Sequence, residues 1–252
     1  MLKTIRYSLG LTLALVVVAA GCGDGIDNDP ILRLSASESL EQGKALMEQE
    51  KYARAREYLI HAFEVEPNSA GGREALLMVA DAHYLQGGNQ NFIRSEAKYR
   101  DYQNRFPTSD YAGYVQFQIA SSLAKRTLSP DRDQTATRKA LDAFNDVIRL
   151  FPTSEYVEEA KGELARLRAI LAESEFGKGL FNLKRGLLKA AVARFEDLLD
   201  EFPEYLEVDK VLFYLARAYE EGEQTDLASE TRERLRAEYP ESEYTADLEK
   251  AS

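Results

Sequence analysis

From Ser35 onward, the apolar positions of this chain recur every three to four residues. That period is typical of amphipathic helices, and the stretch shows neither the strict alternation of strands nor a long structureless segment. Prolines divide the helices into groups, because proline cannot continue a helix and disfavours the helical conformation of the residue before it. The prolines that mark the ends of these groups are Pro67, Pro107, Pro152, Pro203 and Pro240. The serine that follows several of them is predicted to cap the next helix.

Residues at fixed distances before these prolines show that the groups form a repeat. Twelve residues before them, every position is small: Ala55, Ser95, Ala140, Ala191 and Ala228. Eight residues before them, four positions of five are bulky and apolar: Leu59, Tyr99, Phe144 and Phe195, with Arg232 as the exception. Small residues let two helices approach closely, and a bulky residue fills the space between neighbouring pairs.

This spacing resembles the tetratricopeptide repeat, a helix pair of about 34 residues. The sequence therefore predicts an all-α solenoid of about five helix pairs. Two repeats carry extra loop residues, predicted at 87–91 and 127–133. Because no proline interrupts residues 155–182, one helix on the order of 40 Å long is predicted there. Gly186 is predicted to cap it.

The first 21 residues have the organisation of an export signal. Lys3 and Arg6 precede an uncharged run over residues 9–20. Such a run is too short for a membrane-spanning helix, which needs roughly twenty residues, and it matches the apolar part of a signal peptide. Ala19 and Gly21 then lead to Cys22, the only cysteine in the chain.

The segment that ends at Cys22 resembles the lipobox of bacterial lipoproteins. This resemblance implies that Cys22 carries a lipid and begins the mature chain, although Ala19 stands where that family prefers Leu. Ordinary cleavage after Gly21, which would release a soluble periplasmic protein, is the alternative. Gly23 replaces the Asp that retains enteric lipoproteins in the inner membrane, which implies the outer membrane.

The predicted organisation is therefore a signal peptide over residues 1–21, a lipidated cysteine with a flexible tether over 22–34, and a repeat array over 35–252. Within the array, residues 35–154 hold the N-terminal repeats, and residues 155–252 hold the long helix and the C-terminal repeats.

Composition and motifs argue against several functions. The net charge of −11 repels a phosphate backbone, so no nucleic-acid partner is expected. The chain contains no phosphate loop, dinucleotide fingerprint or nucleophile elbow. The two histidines, His61 and His83, lack the partners of a metal-binding motif. We therefore expect no enzyme activity, no cofactor and no metal site, and a solenoid surface that binds proteins.

One stretch reverses the sign of this acidic chain. Residues 176–195 contain no Asp or Glu. Their cations are Lys178, Lys184, Arg185, Lys189 and Arg194. Such a cluster suits an acidic partner surface or lipid headgroups. A solvated helix edge without a partner is the alternative.

The same region resembles the BamD family, the outer-membrane lipoproteins of the β-barrel assembly machinery. The matching segments, in order and spacing, are residues 171–175, 184–186, 190–194 and 202–203. The resemblance extends over most of the mature chain. It implies a scaffold on the periplasmic face of the outer membrane that delivers or accepts unfolded outer-membrane proteins for insertion.

The family resemblance also implies partners. The C-terminal repeats are expected to dock on the periplasmic domains of the barrel-forming subunit, and accessory lipoproteins join the complex. Arg194 is the candidate contact, with Lys184, Arg185 and Lys189 beside it. The N-terminal repeats are expected to form a groove for substrate segments. Counting helix faces puts Leu40, Lys44 and Met47 on its concave side.

Two other classes of tetratricopeptide protein remain possible from the sequence. A type IV pilotin is also a lipidated tetratricopeptide protein, for which six regular repeats and shorter linkers are expected. The Tol-Pal accessory protein shares the repeats but usually lacks a lipobox and carries an N-terminal coiled coil.

Overall fold

The computed structural model describes residues 29–250, with side chains to Leu248. The signal segment and Cys22 lie outside the described residues. Between residues 29 and 250 the chain forms a 3-10 helix at Pro30–Arg33 and eleven α-helices. The α-helices are α1 Ala36–Glu48, α2 Tyr52–Val65, α3 Ala70–Gln86, α4 Asn89–Arg105, α5 Ala112–Ala124, α6 Thr135–Leu150, α7 Val157–Lys184, α8 Leu188–Glu201, α9 Val208–Glu221, α10 Thr225–Glu238 and α11 Glu243–Lys250.

These helices pack mainly against their neighbours in sequence, as expected for a solenoid. The pairs are α1 with α2, α3 with α4, α5 with α6, the second half of α7 with α8, and α9 with α10. The short helix α11 packs on α9, where Leu248 joins the core of the last pair. The prediction of an all-α tetratricopeptide array is confirmed.

The small residues that defined the repeat are all buried. Ala55, Ser95, Ala140 and Ala191 are 0% exposed, and Ala228 is 1% exposed. The four bulky residues four positions later are also 0% exposed. As predicted, a proline follows the second helix of every pair. These helices are α2, α4, α6, α8 and α10, and each ends two residues before its proline.

The long helix α7 joins two hydrophobic cores. Leu167 belongs to the core built by α3 to α6, whereas Leu171 belongs to the core built with α8 and α9. The helix ends as predicted, with Gly186 in the left-handed region at φ 70°. The N–H groups of Gly186 and Leu187 each donate to a carbonyl of the last turn over 2.9 Å, which is a Schellman cap.

At the end of the predicted tether, the Asp29 carboxylate accepts a hydrogen bond from the backbone N–H of Ile31 and caps the 3-10 helix. Two local predictions were wrong. The first loop insertion is only Gly87 and Gly88, which both adopt positive φ, and α4 already begins at Asn89. Ser109 and Ser154 accept hydrogen bonds in the turns before α5 and α7 rather than capping those helices.

None of the helices within residues 29–250 is long and apolar enough to cross a membrane.

Candidate partner-binding surfaces

The basic residues predicted at the C-terminal half lie together at the end of α7 and along α8. All five are exposed. Two apolar side chains stand exposed among them, Phe181 at 57% and Leu187 at 55%. The guanidinium of Arg185 lies 5.2 Å from the centre of the Phe181 ring, a cation–π contact. The surface therefore combines positive charge with apolar area.

The structure places an acidic residue within this basic surface, which was not predicted from the sequence. Glu175 lies one residue before the acid-free stretch, and its side chain is only 9% exposed. Three cations converge on its carboxylate. Lys178 Nζ lies 2.8 Å and Arg138 Nη2 3.2 Å from Oε1, and Arg194 Nη1 lies 3.1 Å from Oε2.

These three cations come from three consecutive helices, α6, α7 and α8. Their side chains remain about half exposed: 53% for Arg138, 49% for Lys178 and 47% for Arg194. One carboxylate therefore neutralises one of three charges and ties all three side chains to the same point. The i,i+3 spacing of Glu175 and Lys178 was a local sequence signal for part of this cluster. The contact with Arg138, far away in the chain, was not visible in the sequence.

A groove of about 680 Å³ opens beside this cluster. Pro130 and Arg132 of the α5–α6 loop form one side, and Lys178, Phe181 and Arg194 contribute to the other. Asp131 and Glu173 line the groove as well, so three cations and two acids surround the Phe181 ring. Beside Lys178 and Arg194, the groove fits an apolar segment that carries a carboxylate. The second predicted loop insertion thus lies against the basic surface.

The N-terminal groove differs from the prediction. Leu40 is 7% exposed and belongs to the core formed with α2 and α3, so it cannot line a surface. Met47 is half-buried against the same core. Lys44 does reach the surface between α1 and α3, where its Nζ lies 3.0 Å from Glu74 and 3.5 Å from Glu41.

The N-terminal repeats do contain an open groove, of about 540 Å³, next to this ion pair. It runs from Glu74, the partner of Lys44, past Arg73 and Arg105 to Tyr111, which is 54% exposed. Each arginine lies against a phenylalanine ring, Arg73 over Phe106 and Arg105 over Phe63. The groove residues come from α3, α4 and the turn before α5, whereas the residues predicted from the sequence all lie in α1.

Three largely buried polar side chains in the same repeats are hydrogen-bonded to one another. The carboxylate of Asp81 accepts hydrogen bonds from Tyr99 over 2.6 Å and from Tyr114 over 2.7 Å. Burial raises the pKa of Asp81, and burial beside Asp81 raises the pKa of both tyrosines. This cluster ties α3, α4 and α5 together. Within the described residues, no group of three or more His, Cys, Asp or Glu could hold a metal ion.

A family model described as YfiO, outer membrane lipoprotein, matches residues 33–235. That range contains both candidate surfaces and every helix pair except the last three residues of α10. The chain belongs to this family.

Relatives that are named as assembly factors are similar in sequence to this chain along most of its length. The outer membrane protein assembly factor BamD of Neisseria gonorrhoeae is 25% identical over 245 residues, which are 93% of this chain and 92% of that protein. BamD of Caulobacter vibrioides is 26% identical, covering 87% of this chain and 72% of the relative. BamD of Haemophilus influenzae is 25% identical, covering 88% and 87%.

Solved tetratricopeptide structures are also similar. The TPR protein YrrB covers 85% of this chain and 92% of its own, at 14% identity and a TM-score of 0.37. The TPR2AB domain of yeast Sti1 covers 83% and 80%, at 15% identity and a TM-score of 0.44.

Proposed function

We propose that this protein is a non-catalytic scaffold of the outer-membrane β-barrel assembly machinery. The observation that carries the proposal is the family match across residues 33–235, together with relatives of nearly equal length named as BamD assembly factors. The match favours this role over that of a type IV pilotin or a Tol-Pal accessory protein. Neither candidate surface brings together a nucleophile, a base and an oxyanion site, so both are suited to binding rather than to reaction.

The basic surface of α7 and α8 is the docking site for the barrel-forming subunit in this proposal. Arg194 presents a half-exposed side chain next to the groove that Phe181 lines. An acidic side chain on a periplasmic domain of the subunit would pair with Arg194, and Lys184, Arg185 and Lys189 would draw in the acidic surface around it. Removing one member of a partly buried charge pair costs about 2–5 kcal/mol of binding energy, and a pair at the rim costs less.

The test is co-purification of the barrel-forming subunit with the lipoprotein from membranes. Arg194→Glu is expected to lose most of the subunit, because two acids would then face each other. Arg149→Glu makes the same charge change at an exposed arginine of α6, whose one salt bridge within residues 29–248 is to Asp146. Full recovery is expected with that control. Full recovery with a folded Arg194→Glu protein, checked by circular dichroism, would exclude Arg194 as the docking residue. Absence of the subunit from wild-type preparations would contradict the whole assignment.

The groove of the N-terminal repeats is proposed to receive unfolded outer-membrane protein segments. Arg73, Arg105 and Tyr111 offer cations and an exposed aromatic ring, whereas Leu40 is removed from the site by its burial. Arg105→Glu is expected to reduce photo-crosslinking of an unfolded substrate to Tyr111 replaced by a photoreactive amino acid. Crosslinking that is unchanged would place the substrate elsewhere.

Cys22 is proposed to anchor the protein in the outer membrane, facing the periplasm. Support comes from its position after the signal-like segment and from the description of the family as outer membrane lipoproteins. Cys22→Ser should abolish labelling by an alkyne fatty acid and release the protein into the soluble periplasmic fraction. A wild-type protein that is already soluble and unlabelled would overturn the anchor.

A further inference from the structure

We infer that Glu175 is a positioning residue for docking: its buried carboxylate holds Arg194 in the orientation that a partner carboxylate needs. The inference rests on the proposed docking role of Arg194 and concerns the geometry that makes the docking specific. Its basis is the convergence of three cations, from three helices, on one carboxylate.

The two oxygens of Glu175 have different neighbours. Oε1 is shared by Lys178 and Arg138, whereas Oε2 is bonded to Arg194. With both partners of Oε1 in place, the carboxylate is held from two sides and cannot follow Arg194 if that side chain moves. Arg194 is therefore attached to a fixed point, even though about half of its side chain is exposed.

An anchored guanidinium is suited to recognition. It carries five N–H donors in a rigid plane, and Glu175 engages one of its nitrogens. Within the described residues Glu175 is its hydrogen-bond partner, so the remaining donors can meet a second carboxylate. A long side chain that is already fixed loses little rotamer freedom when a partner binds, and this preorganisation raises affinity. Glu175 thus reduces the positive charge of the surface but fixes its central cation.

The charge of Glu175 and its anchoring of Arg194 affect the affinity for an acidic partner in opposite directions, so a substitution of Glu175 can separate them. Glu175→Gln makes the surface more positive by one charge. If attraction by net charge were the whole mechanism, an acidic partner would bind the variant more tightly. If Glu175 positions Arg194, the variant binds less tightly, because the amide lacks the charge that holds the guanidinium. The loss should lie in faster dissociation, while association stays the same or accelerates.

The experiment is a kinetic binding measurement between the full mature lipoprotein and the purified periplasmic domains of the barrel-forming subunit from the same organism. Glu175→Gln is expected to dissociate about tenfold faster than wild type. Lys184→Gln and Lys189→Gln are the matched controls, since each removes a cation of the same basic surface and, within the described residues, neither forms an ion pair with Glu175. They should mainly slow association, by a few-fold and in a salt-dependent way.

A double-mutant cycle separates positioning from a structural role. If Glu175 acts through Arg194, adding Glu175→Gln to Arg194→Gln should change dissociation little further. Additive effects would indicate that Glu175 acts independently of Arg194 and would overturn the inference. Glu175→Asp provides a second variant of unchanged charge if Glu175→Gln proves unfolded by circular dichroism. Its carboxylate is one methylene shorter, so its dissociation should also be faster than wild type.

Two results distinguish this inference from the proposed function. Wild-type dissociation by folded Glu175→Gln and Glu175→Asp, with binding still weakened by Arg194→Glu, would overturn the positioning role alone. Absence of binding by the wild-type lipoprotein would overturn the docking proposal and the positioning role with it.

Discussion

Gly179 lies so close to Phe195 that a Cβ at this glycine would stand 2.5 Å from Cε1 of the ring. Gly43 has the same relationship to Leu59, whose Cδ2 would be 2.6 Å from the added atom. In both repeats the glycine is in the first helix of the pair and the bulky residue is in the second. The 16-residue spacing between them therefore has a direct cause, because the bulky side chain occupies the space that the glycine leaves.

Gly179→Ala is expected to destabilise the protein by about 1–3 kcal/mol, because the new methyl group would overlap the fully buried ring of Phe195. The measurement is the free energy of unfolding in urea, supported by the thermal midpoint.

Gly177→Ala is the matched control, two residues away in the same helix. A Cβ there would meet no atom within 4 Å, and the position is exposed. The substitution should therefore stabilise α7 by about 0.5–1 kcal/mol through helix propensity alone. If both variants changed stability in the same direction, the close contact of Gly179 with Phe195 would not be the controlling factor.

Ala191→Leu tests the close approach of α8 to α7. Ala191 is 0% exposed, so a leucine would overpack the crossing and cost about 1–3 kcal/mol. Its neighbour Ala190 is exposed, and Ala190→Leu should leave the free energy of unfolding within about 0.5 kcal/mol of wild type. An unchanged thermal midpoint for Ala191→Leu would mean that the repeat register is wrong.

The repeat register could be predicted because its determinants are local and periodic. Proline ends a helix wherever it stands, and a small residue at Ala55 or Ala191 has the same meaning in every repeat. Because these determinants are local, the structure confirmed the predicted all-α array, and the similarity to known proteins confirmed the predicted family. Helix periodicity also gave α7 and its cap at Gly186, since a glycine after the last periodic residue is itself a stop signal.

The candidate sites were less predictable, because they depend on which helix faces meet. Counting along α1 showed that Leu40, Lys44 and Met47 lie on nearby positions, but not that α2 and α3 would cover Leu40. The carboxylate of Glu175 contacts Arg138, which lies 37 residues away in the chain. A contact between residues so far apart in the chain is set by the packing of repeats and leaves no pattern in a single sequence.

Gly186→Ala tests the cap of the long helix. At φ 70°, an alanine brings its Cβ close to the backbone, and the left-handed conformation costs about 1–2 kcal/mol. Gly186→Asn should cost less, since asparagine tolerates this conformation better. Urea unfolding of both variants gives the comparison, and equal stabilities of alanine and asparagine would contradict the assigned backbone geometry.

His83 makes the stability of the N-terminal repeats depend on pH. Its burial, with the nearby charge of Arg56, lowers its pKa to about 4 from the ordinary 6.5. Between these two values the unfolded chain binds a proton that the folded chain does not, so the free energy of unfolding decreases as the pH falls from 6.5 to about 4. Below both pKa values the contribution of His83 to the free energy of unfolding is constant.

His83→Gln cannot take up this proton, so its stability should decline less steeply over the same range. Urea unfolding of both proteins at several values from pH 7 to pH 4 measures the difference. Parallel curves for the variant and wild type would show that His83 titrates equally in the folded and unfolded chains.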